Sequence, residues 1–482
     1  MGAVVHEQVL DERLAALETV RTWSPRVVSK LEMHIRSAND VALFRINPIR
    51  FAAEKNIAEA EAIDLFLYGT TLGLFDMDWL LLCPACSCVV ESFGSLKGVR
   101  SQFHCAMCRT DLEAALDDYI AVTFTVSPQI RPIAFHRPGN LSAQDFAFAY
   151  KLTDQGLLPD GTPFVQTLRA WTPAISYLPL GTTRLEVEAK NGLLHAWCPD
   201  TDAGFDFRVE GEPATSSQSV RIRYRGSHCE PTEGAVMPGR IVFEIENVTD
   251  QQGLIGISAV STEDLPILEI ARLAFMSYLS GSRLLATQTF RDLFRSEAIC
   301  SAEGISVRDI TLLFTDLKGS TDLYERIGDL NALSLVQQHF ERLREVTACH
   351  GGAIIKTIGD SVMAAFVEPA DTVRSALAML REMETFNHHL SGREVILKIG
   401  IHRGAAIAVT LNGSLDYFGQ TVNIAARVQN LSGAKEICVT SEVLTAPGVK
   451  DILASYPIRR ETAQLKGVHQ QVPVFRIAAV QT

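Results

Sequence analysis

The 482-residue sequence has no run approaching the roughly 20 apolar residues that cross a bilayer, so no transmembrane helix is expected. It is short of positive charge: 44 Lys and Arg against 56 Asp and Glu leave a formal net charge of -12. Broad electrostatic binding to nucleic acid or to an anionic membrane needs the opposite balance, so neither partner is expected. Low-complexity tracts and internal repeats are lacking, and 47% hydrophobic with 21% charged residues is an ordinary globular composition. The opening MGAVVHEQVLDERLAALE lacks a signal-peptide core. Cysteine is scarce as well: of ten, four fall in two C-x-x-C pairs and the rest are scattered, which fits a reducing compartment better than a disulfide framework. A cytoplasmic location is the expectation.

A chain this long exceeds one core and implies about three or four units. Residues 1–80 read as a helical region, with Leu10, Leu14 and Leu17 on one face. Asn47 and Pro48 suit the cap and first position of one helix, and a second runs from about Ala58 to Leu72 and ends at Gly73. The pair resembles a helix-turn-helix, but Glu59, Glu61 and Asp64 on its second helix favour packing over DNA reading. Residues 81–117 hold Cys83, Cys86, Cys105 and Cys108 as C-x-x-C…C-x-x-C, the spacing of a zinc ribbon in which four thiolates close the coordination sphere of a structural Zn²⁺.

From 118 to 262 the pattern alternates. Ile120, Val122, Phe124 and Val126 are apolar at every second residue, as are Val220, Ile222 and Tyr224 between arginines, and Asn191-Gly192 reads as a hairpin turn. An antiparallel β domain is predicted. Residues 263–305 form a helical linker, DLPILEIARLAFMSYLSGSRLLATQTFRDLF, broken near Gly281 and expected to couple the N-terminal modules to the C-terminal unit. Residues 306–482 then run strand, helix, strand, strand, helix, strand, the ferredoxin-like βαββαβ order, with Val336, Phe340, Leu343 and Thr347 on the sheet-facing side of the first long helix. The fold class is thus multidomain α+β.

The strand-end sequence FTD, finishing at Asp316, and the turn IGD, finishing at Asp360, place two carboxylates side by side if their strands are neighbours, a hard-oxygen site for a Mg²⁺ pair. LKGST follows Asp316 and opens a helix, so Gly319, Ser320 and Thr321 can turn N–H groups toward an anion such as a triphosphate. Taken with KTIGDSVMAAF, DYFGQTVNIAARV and LKG at Leu465 to Gly467, these motifs resemble, in the same order, the catalytic domain of class III adenylyl and guanylyl cyclases over about Arg308 to Ile477. The N-terminal half resembles an uncharacterised region found ahead of bacterial cyclase domains.

The resemblance implies roles residue by residue. Asp316 and Asp360, with the Leu317 carbonyl, match the ligands of two Mg²⁺ or Mn²⁺ ions. Lys356 and Asp416 match the purine-reading pair of adenylyl cyclases. Asn423 matches the residue that orients the ribose, Arg427 the one that stabilises the pentavalent phosphorus, and Lys466 a triphosphate-binding lysine. Adenine presents an N1 acceptor and an N6 donor, complementary to Lys356 and Asp416, whereas guanine reverses both, so ATP is the expected substrate. The family also implies a homodimer with shared active sites. His339, His350 and His402 are the nearby histidines, none an evident general base. HRGAAIAVTLNGSLDYFG departs from the family's glycine-rich hairpin by a longer apolar run. The expected function is an adenylate cyclase in signal transduction with N-terminal regulatory modules. Two alternatives stand beside it: a guanylate cyclase, and a nucleic-acid-binding or signalling regulator that uses the cyclase domain as a nucleotide sensor.

Overall fold

The computed structural model of the chain describes residues 5–268, 270, 272–388, 395–467 and 471–478; residues 1–4 and 479–482, the ends of the first and last expected units, lie outside the described residues. Four α-helices open the chain, Glu7–Thr19, Val27–Ser37, Pro48–Lys55 and Glu59–Thr71. The Asn47 side chain accepts from the Ile49 N–H at 3.0 Å, and Pro48 occupies the first helical position, where its missing N–H costs nothing. The acidic residues of the fourth helix are engaged within the chain. Glu59 pairs with Arg283 at 2.7 Å, Glu61 accepts from the Ser24 N–H at 2.7 Å, and Asp64 pairs with Arg21.

The helical region does not reach residue 80. Phe75–Leu82 is the middle strand of a small sheet, between Val89–Phe93 and Ile120–Val126. It alternates buried and more exposed residues from Phe75 to Trp79, and only from Trp79 to Leu82, buried throughout, does it read as an apolar run that does not separate strand from helix. The cysteine segment is an excursion from this sheet, with its own hairpin of Gln102–Cys105 and Thr110–Glu113.

The antiparallel β domain also needs correction. Ile120–Val126 belongs to the small sheet, and residues 174–261 form a sandwich of a five-stranded and a four-stranded sheet. Two of its pairings are parallel, Gly204–Val209 with Glu233–Val236 and Gln218–Tyr224 with Gly239–Asn247. Nor is Asn191-Gly192 a hairpin. Gly181–Ala189 pairs in the four-stranded sheet and Gly192–Trp197 in the five-stranded one, so the turn carries the chain between layers. Gly192 sits at φ +148, where a Cβ would stand 2.1 Å from the Val260 carbonyl oxygen.

The expected helical linker is mostly a strap. Among the described residues of 263–305, helix is confined to Leu265–Leu268, Gly281–Leu285 and Gln288–Leu293. Between the first two the backbone bonds to other elements. Leu273 N–H donates to the Pro84 carbonyl at 2.8 Å, Ala274–Phe275 pairs with Gly156–Leu157, and the Leu279 carbonyl accepts from Val122 N–H at 2.8 Å. Those partners satisfy the groups a helix would have paired internally. Gly281 begins a helix rather than breaking one, since the Ser280 hydroxyl accepts from the Arg283 N–H at 3.2 Å.

The C-terminal unit follows the βαββαβ order. Its sheet runs, edge to edge, Gly352–Ile358, Ser361–Phe366, Ile305–Leu317, Leu397–Leu411, Glu436–Thr440, Gln471–Ala478 and Ile458–Gln464, with Ser414–Phe418 paired to Leu397–Leu411 alone. Helices Asp329–Cys349 and Pro369–His388 cover one face. The buried stripe of the first is Ala332, Leu335, His339, Leu343 and Thr347; Val336 and Phe340 are only half-buried. Leu313 packs toward these helices, whereas Leu312, Phe314, Met363 and Tyr417 join the core of the N-terminal helices and small sheet.

Replacing Gly192 by Ala should cost about 1–3 kcal/mol of stability through backbone strain and the Val260 clash. Gly94→Ala, where a Cβ meets nothing within 4 Å, should lie within about 0.5 kcal/mol of the parent. Denaturant unfolding of both variants checks this.

Candidate active site

Asp316 is the penultimate residue of Ile305–Leu317, and Asp360 lies in the turn between Gly352–Ile358 and Ser361–Phe366. Ser361–Phe366 pairs directly with Ile305–Leu317, so both carboxylates stand at one end of adjacent strands. The Ser361 hydroxyl donates to Asp316 Oδ1 at 3.0 Å, and the Lys398 ammonium meets Asp316 Oδ2 at 2.5 Å from the neighbouring strand. Asp360 Oδ2 is buried with no hydrogen-bond partner. An orphaned carboxylate oxygen beside a second carboxylate is a fit for a hard divalent cation, which takes such acceptor-only oxygens. Leu317 ends the strand and is buried. Gly319 follows at φ +72 as the cap of helix Ser320–Ile327, with Thr321 exposed in its first turn.

Two groups face this pair, Tyr324 of helix Ser320–Ile327 and His339 of the covering helix Asp329–Cys349. The Tyr324 hydroxyl is buried without a partner, and burial together with the charges of Asp360 and Asp316 pushes its pKa up. His339 is fully buried. Its Nδ1 donates to the Val336 carbonyl at 2.8 Å, its Nε2 has no partner, and burial pushes its pKa down to about 4. The other two histidines are bound elsewhere: His350 Nδ1 donates to the Val346 carbonyl, and His402 Nδ1 hydrogen-bonds with the Thr440 hydroxyl at 2.9 Å.

Lys356 and Asp416, 60 residues apart, meet at 2.5 Å between Nζ and Oδ2. Asp416 is set in place by its own strand, its Oδ1 accepting from the Tyr417 N–H at 2.8 Å. That strand returns from Leu397–Leu411 through Asn412 and Gly413, at φ +52 and +78, the left-handed pair of a tight two-residue hairpin turn. The Asp416 side chain is 9% exposed and the Lys356 side chain 37%, so the pair opens to solvent through the lysine.

Asn423 and Arg427 lie one turn apart on helix Gln420–Leu431, which sits directly on the sheet. Gly400 permits that approach, since a Cβ there would fall 2.1 Å from Gln429 N. Asn423 is exposed and Arg427 half-buried. The Arg427 guanidinium reaches Gly467, where an added Cβ would stand 3.5 Å from Nη2, and Leu465 packs with Val428 beneath. Lys466, between them, is exposed. Among the described residues, no hydrogen bond or ion pair joins Asp316 or Asp360 to Lys356, Asp416, Asn423, Arg427 or Lys466.

Away from this region, the sulfurs of Cys83, Cys86, Cys105 and Cys108 all lie within 4.8 Å of one another. Cys83 N–H donates to the Cys88 carbonyl and Ser87 N–H to the Cys83 carbonyl, folding the first pair into a knuckle. Hydrogen bonds among the four thiols push Cys105 down and Cys86 and Cys108 up. The group fits a four-coordinate soft-metal site. Cys88 is buried beside it, with its thiol pushed up by the Cys105 contact.

Sequence reasoning missed Lys398, Ser361 and Tyr324. For Lys398 a signal exists: it is the polar residue in the alternating LKIGI and falls opposite Asp316 in register. No helix among the described residues is long and apolar enough to cross a membrane.

Residues 10–292 match the family model described as "Family of unknown function (DUF5939)", and residues 304–476 that of the "Adenylate and Guanylate cyclase catalytic domain". Adenylate cyclase 1 of Rhizobium meliloti is 29% identical over 187 residues, 36% of this chain and 28% of that protein. Adenylate cyclase 2 of the same organism is 28% identical over 247 residues, 46% of this chain and 68% of that protein. The pH-sensitive adenylate cyclase MT1302 of Mycobacterium tuberculosis is 24% identical over 304 residues, 58% of this chain and 70% of that protein. Among solved structures, the adenylyl cyclase CyaB from P. aeruginosa is 21% identical, with 37% of this chain and 96% of that one covered and a TM-score of 0.33. The chain therefore belongs to the DUF5939 family and carries, after that region, a class III nucleotidyl cyclase catalytic domain.

Proposed function

We propose that the chain converts ATP to 3′,5′-cyclic AMP and pyrophosphate, at sites shared between two copies of its cyclase domain. The observation that carries the choice of base is the Lys356–Asp416 contact. An ammonium and a buried carboxylate, each with bonding capacity to spare, present one donor and one acceptor side by side. Adenine N1 accepts from the first and N6–H donates to the second; guanine meets each with its own kind, at a cost of about 1–3 kcal/mol per mismatched group. Relatives named adenylate cyclases point the same way.

Magnesium or manganese ions held by Asp316, Asp360 and the Leu317 carbonyl would supply positive charge to the triphosphate and favour loss of the 3′-hydroxyl proton. Asn423 orients the ribose so that its 3′-oxygen lies in line with the α-phosphorus. As that oxygen bonds to phosphorus, the bond to the bridging oxygen of the β-phosphate breaks, and Arg427 offsets the charge on the pentavalent centre. Lys466 and the Gly319–Ser320–Thr321 turn bind the triphosphate, whose β- and γ-phosphates leave together as pyrophosphate. Two observations support sharing. Among the described residues no hydrogen bond or ion pair joins the carboxylate pair to Arg427 or Lys466, and Ile358, Leu411 and Phe418 stand 51%, 44% and 62% exposed around the base-reading strands, apolar surface suited to a second copy. The four cysteines hold a structural zinc ion.

Lys356→Glu combined with Asp416→Ser inverts the donor and acceptor, and the ratio of kcat/KM for ATP over GTP should fall by about 10²-fold. A ratio within twofold of the parent would remove the base-reading assignment. Asp360→Ala and Arg427→Ala should each lose about 10²–10³ in rate, or more, when alone. Mixed under verified subunit exchange they should regain activity, because one of the two sites in each heterodimer keeps Asp360 from one chain and Arg427 from the other. Cyclic AMP formation reads this out, and no recovery means either that the site lies within one chain or that the residue assignment is wrong. Elemental analysis of protein purified without chelator should find about one zinc ion per chain, and Cys105→Ser protein far less.

A further inference from the structure

The sheet leaves two backbone groups unpaired next to the base-reading residues, and one short helix from the DUF5939 region takes both. Gly352–Ile358 is an edge strand whose register with Ser361–Phe366 slips between Ile354 and Lys356. At that bulge the Ile354 N–H points away from the ladder and donates to Gln288 Oε1 at 2.8 Å. Ser414–Phe418 pairs on one side only, and the Leu415 carbonyl, immediately before Asp416, accepts from Arg291 Nη1 at 2.9 Å. Gln288 and Arg291 lie on the same helix, Gln288–Leu293.

That helix is itself fixed. Arg291 Nε donates to the Leu285 carbonyl at 2.7 Å, Gln288 Nε2 donates to Asp292 Oδ1 at 3.1 Å, and Asp292 pairs with Arg344 of the long helix behind the sheet. Phe290 is fully buried against Trp79 of the small N-terminal sheet, ring centroids 6.1 Å apart. The Arg291 charge faces the buried Tyr417, the residue whose N–H holds Asp416.

We propose that Arg291 and Gln288 are positioning residues for base selection. They fix the separation of Lys356 and Asp416 by anchoring the strand residue one place before Asp416 and the one two places before Lys356. The N-terminal family region thereby sets the donor–acceptor spacing that the purine meets. This rests on the base-reading assignment above, and the test separates the two.

In the full-length chain, kcat and KM for ATP and for GTP are measured for Arg291→Met, Arg291→Lys and Gln288→Met, with the Lys356→Glu/Asp416→Ser double variant and Arg283→Met alongside. Arg291→Met should lower the ATP-over-GTP ratio of kcat/KM by about tenfold, mainly through KM for ATP, and Gln288→Met by a smaller factor in the same direction. Arg291→Lys, which keeps a donor, should recover part of the ratio. Arg283→Met, which removes only the surface pair with Glu59, should leave it unchanged. If Arg291→Met unfolds, the milder Gln288→Met carries the test. Overturning results are distinct: ratios held within twofold in the Arg291 and Gln288 variants while the double variant shifts would sink the positioning role alone, and no shift in the double variant would sink base reading with it.

Discussion

Ile305–Leu317 sends Leu313 and Leu317 into one apolar layer and Leu312 and Phe314 into another, so the catalytic sheet must be covered on both faces. The helices Asp329–Cys349 and Pro369–His388 cover the first. The second is covered from within the same chain, by helix Gln420–Leu431 and by a core continuous with Trp79, Phe124 and Phe290. Each fully buried side chain of this size is worth about 1.5–3 kcal/mol, so leaving this face wet would cost more than a domain's whole margin. The strap from Leu273 to Leu279 and the two short helices after it meet that requirement, because they are the route by which the chain closes over the sheet edge.

The charged groups sit where that hydrophobic arrangement ends. Asp316 finishes a buried strand and meets Lys398 and Ser361 at its rim. Asp416 is held on a strand with one neighbour, and its carboxylate is satisfied by a main-chain N–H on one oxygen and an ammonium on the other. In the absence of a base, Lys356 and Asp416 satisfy each other. Any group that separates them must offer each an equivalent bond, because the buried carboxylate is otherwise left with an unpaired oxygen.

Much of this is legible in the sequence, and the remainder is hidden for physical reasons. FTD, IGD, Lys356 and Asp416 are chemistry fixed in short motifs, and the order of strands and helices around them comes from clear periods of 3.6 and 2. Phe75–Leu82 alternates from Phe75 to Trp79, a strand signal that the helical reading passed over, and only its buried end, Leu80 to Leu82, is a plain apolar run. The two Asn-Gly pairs show the limit of turn chemistry: Asn412-Gly413, both left-handed, closes a hairpin, whereas at Asn191-Gly192 only the glycine takes positive φ and the chain leaves for another sheet. The outcome depends on strand partners far along the chain, and no local pattern carries them. Gln288 and Arg291 are invisible in sequence for the same reason, since their bonds go to backbone atoms 66 and 124 residues away.

The two family regions meet between residues 292 and 304, yet the structure has no seam there. Ile299 within that interval and Ile305 just after it belong to one core with Phe290 before it, the Leu116 N–H bonds the Ser306 carbonyl, and Asp117 accepts from the N–H groups of Arg308 and Asp309. The junction between the two matched regions is not a boundary of folding. A recombination event cutting there would expose Leu312, Phe314 and Met363 and strip two strand edges of their partners. Cut off at that point, the catalytic unit of this chain would lack the cover on one face of its sheet.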